Sequence, residues 1–337
     1  MDIAKGVFEA IDHAYKKQFN NLSVLKGQEK IVFEKNVCYS DVDSKICKLD
    51  YFYVPKKSGT YPVLFYIHGG GFVAGGKEYR NVLSQWLALQ GFFVVNADYG
   101  LCPECLFPKP IEHLVSALNW IADNKKEFKL NTSKLVVCGD SAGAYYASMI
   151  TVLCLNKKMQ KELNLVPKLK PGAIVLNCGI YDVDLSLENR LIFDLNVKIF
   201  EAYTGINEEN FSNYKFKHLL SPMAYIKGNF PPACLIYADK DIFCSGQTEL
   251  LIKKLEENDV YFESYHSTSV LRNHCFSLKW RSREAKEANN LISNFLKKFV
   301  ERKLPKKQSE SEEKIRLVEK TPLEKVRDRK KSDEKKQ

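Results

Sequence analysis

Ser141 sits in Gly139-Asp140-Ser141-Ala142-Gly143, directly after the apolar run Lys134-Leu-Val-Val-Cys138. Gly-x-Ser-x-Gly behind a strand has the form of a nucleophile elbow, a sharp strand-to-helix turn that strains the serine and exposes its hydroxyl. Gly139 and Gly143 supply the small residues needed where strand and helix approach closely. The amide of Ala142, near the positive start of the following helix, would point to where a tetrahedral oxyanion forms. Upstream, His68-Gly69-Gly70-Gly71 closes a second apolar run, Pro62-Val-Leu-Phe-Tyr-Ile67. Glycine lets backbone amides approach a ligand with no Cβ in the way, so this loop can supply further oxyanion donors. Spacing alone leaves open which of its glycines donate.

A serine hydroxyl is a poor nucleophile until a base takes its proton. In this kind of site the chain order is serine, acid, histidine. Of the six histidines, at 13, 68, 113, 218, 266 and 274, only His266 and His274 lie late enough. His266 ends an expected strand, whereas His274 lies in the loop beyond it, where a base can reach Ser141. For the acid, Asp239 and Asp241 both follow the run Ala233-Cys-Leu-Ile-Tyr-Ala238. Asp241 is preferred, and Asp182 and Asp184, behind the preceding strand, are outside candidates. His68 reads as a loop-ordering residue rather than a base.

The elements that must hold these residues alternate. Strands are expected at Ile31–Cys38, Ile46–Val54, Val63–His68, Phe92–Ala97, Leu135–Gly139, Ala173–Cys178, Ala233–Ala238 and Val260–Tyr265. Helices are expected at Tyr79–Leu89, Ile111–Asn124, Ala142–Leu155, Gln247–Asn258 and Arg283–Arg302. In the second of these, Ile111, Leu114, Val115, Leu118 and Ile121 follow the spacing of one buried helical face. Strands alternating with helices imply an α/β protein with a mostly parallel central sheet covered by helices on both faces. The first two strands read as a hairpin at the sheet edge. The long stretch between Tyr181 and Ala233, with a helical segment at Leu191–Tyr203, far exceeds the usual ~2–6-residue connection. Such an insertion at the carboxyl edge of a sheet covers the ligand crevice, so residues 183–230 are read as a helical cap. Residues 1–30, with an amphipathic helix over Ile3–Phe19, complete it.

With 337 residues, 45% hydrophobic and 27% charged, the chain can build one large domain, expected over residues 1–302. The formal charge is +10, but residues 303–337 hold thirteen basic and eight acidic residues, so half of the excess lies in a charged tail expected to be disordered. Elsewhere no basic stripe with interleaved aromatics appears, so no nucleic-acid partner is expected. No stretch approaches the ~20 apolar residues that span a bilayer, and nothing at the start resembles a signal peptide. A cytoplasmic protein without stable membrane anchoring is the expectation. The ten cysteines suit that setting as free thiols, several inside buried strands. Cys102-Pro-Glu-Cys105 has the spacing of a metal or redox pair, but no second pair follows, and no metal is expected there.

These motifs resemble the hormone-sensitive-lipase-like branch of the α/β-hydrolase superfamily, the bacterial esterase/lipase group, from about Tyr61 to Val300. The resemblance is carried by His68-Gly-Gly-Gly-Phe72, Asp98-Tyr99-Gly-Leu-Cys-Pro103-Glu104, Gly139-Asp-Ser-Ala-Gly143, Ser221-Pro222, Asp241 and His274. It implies an α/β-hydrolase fold with Ser141, Asp241 and His274 as the triad. Gly69, Gly70 and Ala142 would be the oxyanion donors. It implies no metal or organic cofactor and a small-molecule ester substrate with a short- to medium-chain acyl group, cleaved through an acyl-enzyme. A carbohydrate deacetylase, an aryl-amide hydrolase or a non-catalytic binding protein would use the same frame. The chain departs from the family at Gly100, where an arginine is usual, at Ile242 in place of a proline after the acid, and at Ala144 in place of a glycine.

Overall fold

The computed structural model describes residues 5–10, 13, 25–189, 191, 194–310 and 316–318. Its frame is one nine-stranded sheet. The strands are β1 (Val32–Cys38), β2 (Lys48–Tyr53), β3 (Tyr61–Ile67), β4 (Phe93–Ala97), β5 (Leu130–Asp140), β6 (Ala173–Asn177), β7 (Ala233–Ala238), β8 (Phe262–Ser267) and β9 (Arg316–Val318). They lie in the order β1-β2-β4-β3-β5-β6-β7-β8-β9. β1 and β2 are antiparallel to each other, β2 is antiparallel to β4, and every later pairing is parallel. The two antiparallel strands form the expected edge hairpin. β1 is largely exposed, with Val32 41% and Phe33 54% accessible, and a register shift between Glu34 and Val37 bends it. Such a bulge blunts an open edge.

The central strands read as continuous apolar runs because both of their faces are covered. Among the described residues, these α-helices follow β3: α1 (Asn81–Leu89), α2 (Lys109–Asp123), α3 (Ala142–Leu155), α4 (Lys157–Leu163), α5 (Val183–Glu188), α6 (Leu195–Thr204), α7 (Gln247–Glu257) and α8 (Arg283–Val300). Ile111, Leu114, Leu118 of α2, Tyr145 and Ile150 of α3 and Leu251 of α7 share one core with Val63, Phe65 and Ile67. Leu83 and Leu87 of α1 and Leu291 and Phe295 of α8 share the other with Leu64 and Tyr66. Alternate residues of β3 thus feed opposite layers, as the period of two requires.

Several boundaries differ from the sequence expectation. β5 begins at Leu130 rather than Leu135, because Tyr61 and Pro62 already pair with Leu130 and Asn131 before a register shift at Val63. β8 runs two residues further than expected, placing His266 inside the ladder opposite Tyr237. The short helices α4 and α5 have too few turns for a periodic signal. Each is started by a side-chain cap, Asn156 accepting from Met159 N at 3.1 Å and Asp182 from Leu185 N at 3.1 Å. Of the helix expected over Ile3–Phe19, residues 5–10 and 13 are helical and the rest lies outside the described residues. Of the charged tail, residues 303–310 and 316–318 are described. Gln308 Oε1 accepts from Phe262 N at 3.0 Å, Ser309 N donates to Asp259 at 2.9 Å, and Arg316–Val318 pair with β8. The unpaired edge of β8 offers backbone hydrogen bonds that composition alone does not reveal. Residues 311–315 and 319–337 lie outside the described residues.

Candidate active site

β5 ends at Asp140 and α3 begins at Ala142, so one residue makes the whole turn. That residue, Ser141, has φ 55° and ψ −124°, a left-sided conformation that costs a non-glycine residue about 1–3 kcal/mol. The glycines around it have no alternative. A Cβ on Gly139 would strike the Gly143 carbonyl, and one on Gly143 would strike the carbonyls of Ile67 and His68. Ser141 N donates to Asn177 O at 2.8 Å, which ties the turn to the end of β6.

Asp241 lies just beyond β7 and His274 in the loop beyond β8. Lys240 and Asn273 form an isolated parallel bridge that joins the two loops. Asp241 is 2% exposed, and its Oδ1 accepts from the backbone N–H groups of Phe243 and Cys244, each at 3.0 Å. His274 Nδ1 lies 2.9 Å from both Asp241 oxygens, and Nε2 lies 2.8 Å from Ser141 Oγ. The carboxylate selects the tautomer with the proton on Nδ1, leaving Nε2 to accept the serine hydroxyl. Burial opposes charge on both partners. For Asp241 the His274 charge and hydrogen bonds outweigh burial and lower its pKa. For His274 burial is likewise outweighed, and the Asp241 carboxylate raises its pKa well above the ordinary imidazole value. The Phe243 ring covers the imidazole edge-on at 5.1 Å.

The other candidates are engaged elsewhere. His266 Nε2 sits 2.6 Å from Asp239 Oδ1, and its ring stacks on Tyr237 at 4.3 Å. Asp182 caps α5, and Asp184 pairs with Lys217 at 3.2 Å.

The loop at 68–71 packs directly on the elbow. A Cβ on Gly69 would meet Asp140 and come within 2.9 Å of Ser141 Cβ, so only glycine brings this backbone against the serine. Gly70 has φ 139°, and its carbonyl accepts from Val73 N and Ala74 N at 3.2 and 2.9 Å in a tight turn. Ala142 is the first residue of α3, so its N–H has no carbonyl partner inside the helix. His68 lies behind the loop, 1% exposed, with Nδ1 2.8 Å from Gly69 O and its ring stacked on Tyr99 at 4.4 Å. Burial lowers its pKa to about 4, so it is neutral at ordinary pH.

Sequence reasoning missed the support under this turn. Asp140 is fully buried beside Ser141, and Arg80 clamps it with Nε–Oδ1 2.8 Å and Nη2–Oδ2 2.6 Å, while Tyr66 donates to Oδ1 at 2.7 Å. The signal was present in the motif, since a carboxylate between an apolar strand and a buried helix demands a partner. The partner's identity was not. The aromatic lining was also unforeseen. The Phe8 ring occupies the space a Gly71 Cβ would need and lies 5.7 Å from Phe243. Tyr203 of α6 stacks on Phe72 at 4.7 Å, with Phe200 at 5.9 Å, so the inserted segment packs on the glycine loop. Gly100, the departure from the family's arginine, has no room for a side chain, because a Cβ would strike Cys105 Sγ. Its N–H donates to His113 Nδ1 at 3.0 Å, and His113 Nε2 faces Asp43 at 3.0 Å.

All ten cysteines are free. In the Cys-x-x-Cys segment, Cys102 Sγ donates to Cys105 O at 3.1 Å rather than sharing a ligand. Among the described residues two groups have the donor types for a metal ion, Cys178 with His274 and Cys275, and Asp241 with Cys244 and His274.

The BD-FAE family profile matches residues 49–255. An acetyl esterase of Salmonella choleraesuis is 30% identical over 182 residues, 54% of this chain and 50% of its own length. The chain thus spans about half the length of the curated relatives it matches. Esterase B of Lactobacillus rhamnosis superposes with a TM-score of 0.73 at 19% identity, covering 88% of this chain and 96% of that one. An esterase of the archaeon Pyrobaculum calidifontis superposes with a TM-score of 0.66 at 22% identity, covering 88% and 94%. The fold is the α/β-hydrolase fold. Among the described residues no helix is long and apolar enough to cross a membrane.

Proposed function

The chain belongs to the BD-FAE family, and from that premise we propose that it is a serine carboxylesterase acting on short- to medium-chain carboxylic esters. The observation that carries this reading is the unbroken hydrogen-bonded path Ser141–His274–Asp241 under a glycine loop. Ser141 Oγ attacks the ester carbonyl as its proton passes to His274 Nε2. Asp241, holding Nδ1–H, stabilises the imidazolium that forms. The amides of Gly69, Gly70 and Ala142 receive the developing oxyanion, each donor contributing on the order of 3 kcal/mol to the transition state. The imidazolium returns its proton to the departing alcohol, and water attacks the acyl-serine by the same base.

The relatives named acetyl esterases favour a small acyl group. In this reading residues 183–230 and the N-terminal region form the cap. Phe8 lies against Phe243, whose ring covers His274, and Tyr203 of α6 stacks on Phe72 beside the glycine loop. No metal or organic cofactor takes part in these steps. Hydrolysis of p-nitrophenyl esters of increasing chain length tests the proposal. Wild type is expected to turn over the short esters and Ser141→Ala to lose that activity, with a fluorophosphonate probe labelling only the former. Equal rates in the two proteins would overturn it.

A further inference from the structure

Three sulfurs surround the contact between Asp241 and His274. Cys178 directly follows β6, Cys244 lies three residues after Asp241, and Cys275 directly follows His274. None is more than 6% exposed, and all are free thiols. They touch one another through the backbone: Cys275 N donates to Cys178 Sγ at 3.3 Å, and Cys244 Sγ donates to Cys178 O at 3.1 Å. One ligand atom each of Cys178, His274 and Cys275 lies within 4.8 Å of the others, and the same holds for Asp241, Cys244 and His274. The imidazole belongs to both groups. Ester hydrolysis by serine, histidine and aspartate needs none of these thiols.

Two thiolates and an imidazole are the donor set of zinc and related soft divalent cations. Bonds of about 2.0–2.3 Å place tetrahedral donors about 3.5–3.8 Å apart, so side-chain shifts of about 1 Å would close the group around one ion. We propose that Cys178, Cys275 and His274 form an inhibitory site for a soft divalent cation, with Cys244 or Asp241 as fourth donor. On binding, the two thiols release their protons to solvent, as do Cys244 where it is the fourth donor and His274 where it is protonated. Two sulfur lone pairs and one imidazole lone pair form the bonds to the ion, and no electron is transferred. An imidazole held this way leaves the path between Asp241 and Ser141, and the serine loses its base. The His274 side chain, 16% exposed, is the solvent-facing donor of the group. The inhibitory consequence rests on the esterase reading, whereas the binding does not.

The test is therefore split. In a Ser141→Ala protein that also carries Cys38→Ser, which removes the exposed thiol, cadmium is titrated and the ultraviolet cadmium–thiolate band recorded. A saturable band at one ion per chain, erased by a chelator, is expected. Cys275→Ser or His274→Ala in that background should weaken binding roughly 100-fold, since even outer partners of metal ligands are worth about 10–100-fold. In the active protein, zinc should abolish ester hydrolysis and a chelator restore it. Cys178→Ser and Cys275→Ser, each compared with its own metal-free rate, should need roughly 100-fold more zinc. Absence of the band, or equal zinc sensitivity of wild type and both cysteine variants, would overturn the site. Should a cysteine variant not fold, the Ser141→Ala titration decides alone. A band in a protein that hydrolyses no ester supports the site and removes the esterase reading instead.

Discussion

Replacing Arg80 with methionine removes the clamp under the Ser141 turn and keeps much of the side chain's volume. The guanidinium and the Asp140 carboxylate are 4% and 1% exposed, joined by two charge-assisted bonds of 2.8 and 2.6 Å. Removing one partner of a pair this buried leaves the Asp140 charge without its counter-ion, held only by the Tyr66 hydroxyl, which costs about 3–5 kcal/mol. For a chain of this size that corresponds to a fall in Tm of about 4–8 °C. The pH dependence gives the reasoning a sign. In the wild type, burial would raise the Asp140 pKa, but the Arg80 charge outweighs it and holds the pKa below its ordinary value. The stabilisation is therefore complete above the unfolded carboxylate range and is lost as pH falls below it. In Arg80→Met burial is opposed chiefly by the remaining Tyr66 hydrogen bond, and Asp140 titrates higher. The variant's deficit should be largest near neutrality and shrink as acid neutralises the orphaned carboxylate. Adding Asp140→Asn to Arg80→Met should recover about 1–3 kcal/mol relative to additive single costs. Urea unfolding of the four proteins across a pH series measures this. Because a Gly69 Cβ would lie against Asp140, kcat on a short ester should fall in parallel with little change in KM. An Arg80→Met loss below about 1 kcal/mol that does not vary with pH would refute the argument.

Other outcomes follow from the same geometry. Asp241→Asn should lower kcat by on the order of 10⁴-fold, because the amide no longer selects the Nδ1–H tautomer, whereas Asp239→Asn, facing His266 instead, should leave kcat near wild type; steady-state kinetics separate them. His68 binds a proton in the unfolded chain at the ordinary value of 6.5 but in the folded protein only at about 4. Stability should thus decline as pH falls between those values by about 3 kcal/mol, and His68→Asn should flatten that slope in urea titrations. Gly143→Ala places a methyl against the Ile67 and His68 carbonyls, and calorimetry should register a loss of about 1–3 kcal/mol together with lost turnover.

Much of the site was legible because its signals are local. The apolar runs of β3 and β5, each closed by glycines, announce two strands ending at the same sheet edge. The parallel pairing of Ile67 with Gly139 sets them side by side. The requirement for glycine at 139 and 143 is likewise a property of one tight turn. The choice of acid was harder, since Asp239 and Asp241 stand two residues apart on the same loop and either carboxylate could follow a strand. Their partners separate them, as His266 inside β8 takes Asp239 and His274 in the next loop takes Asp241.

What the amino-acid order determined by itself was the serine turn, the glycine loop and the alternation of strands and helices, because turn stereochemistry and burial periodicity act over a few residues. What only the tertiary structure decided was which distant groups share a low-dielectric space. Arg80 reaches Asp140 across 60 positions, and Tyr66 reaches it across 74. Cys178 meets Cys275 across 97 positions, and Phe8 meets Phe243 from the other end of the chain. These contacts follow from the order β4-β3-β5-β6-β7-β8, which gathers the carboxyl ends of consecutive strands at one edge. No local preference encodes them, because each residue's own environment is satisfied only when the whole sheet has closed around it.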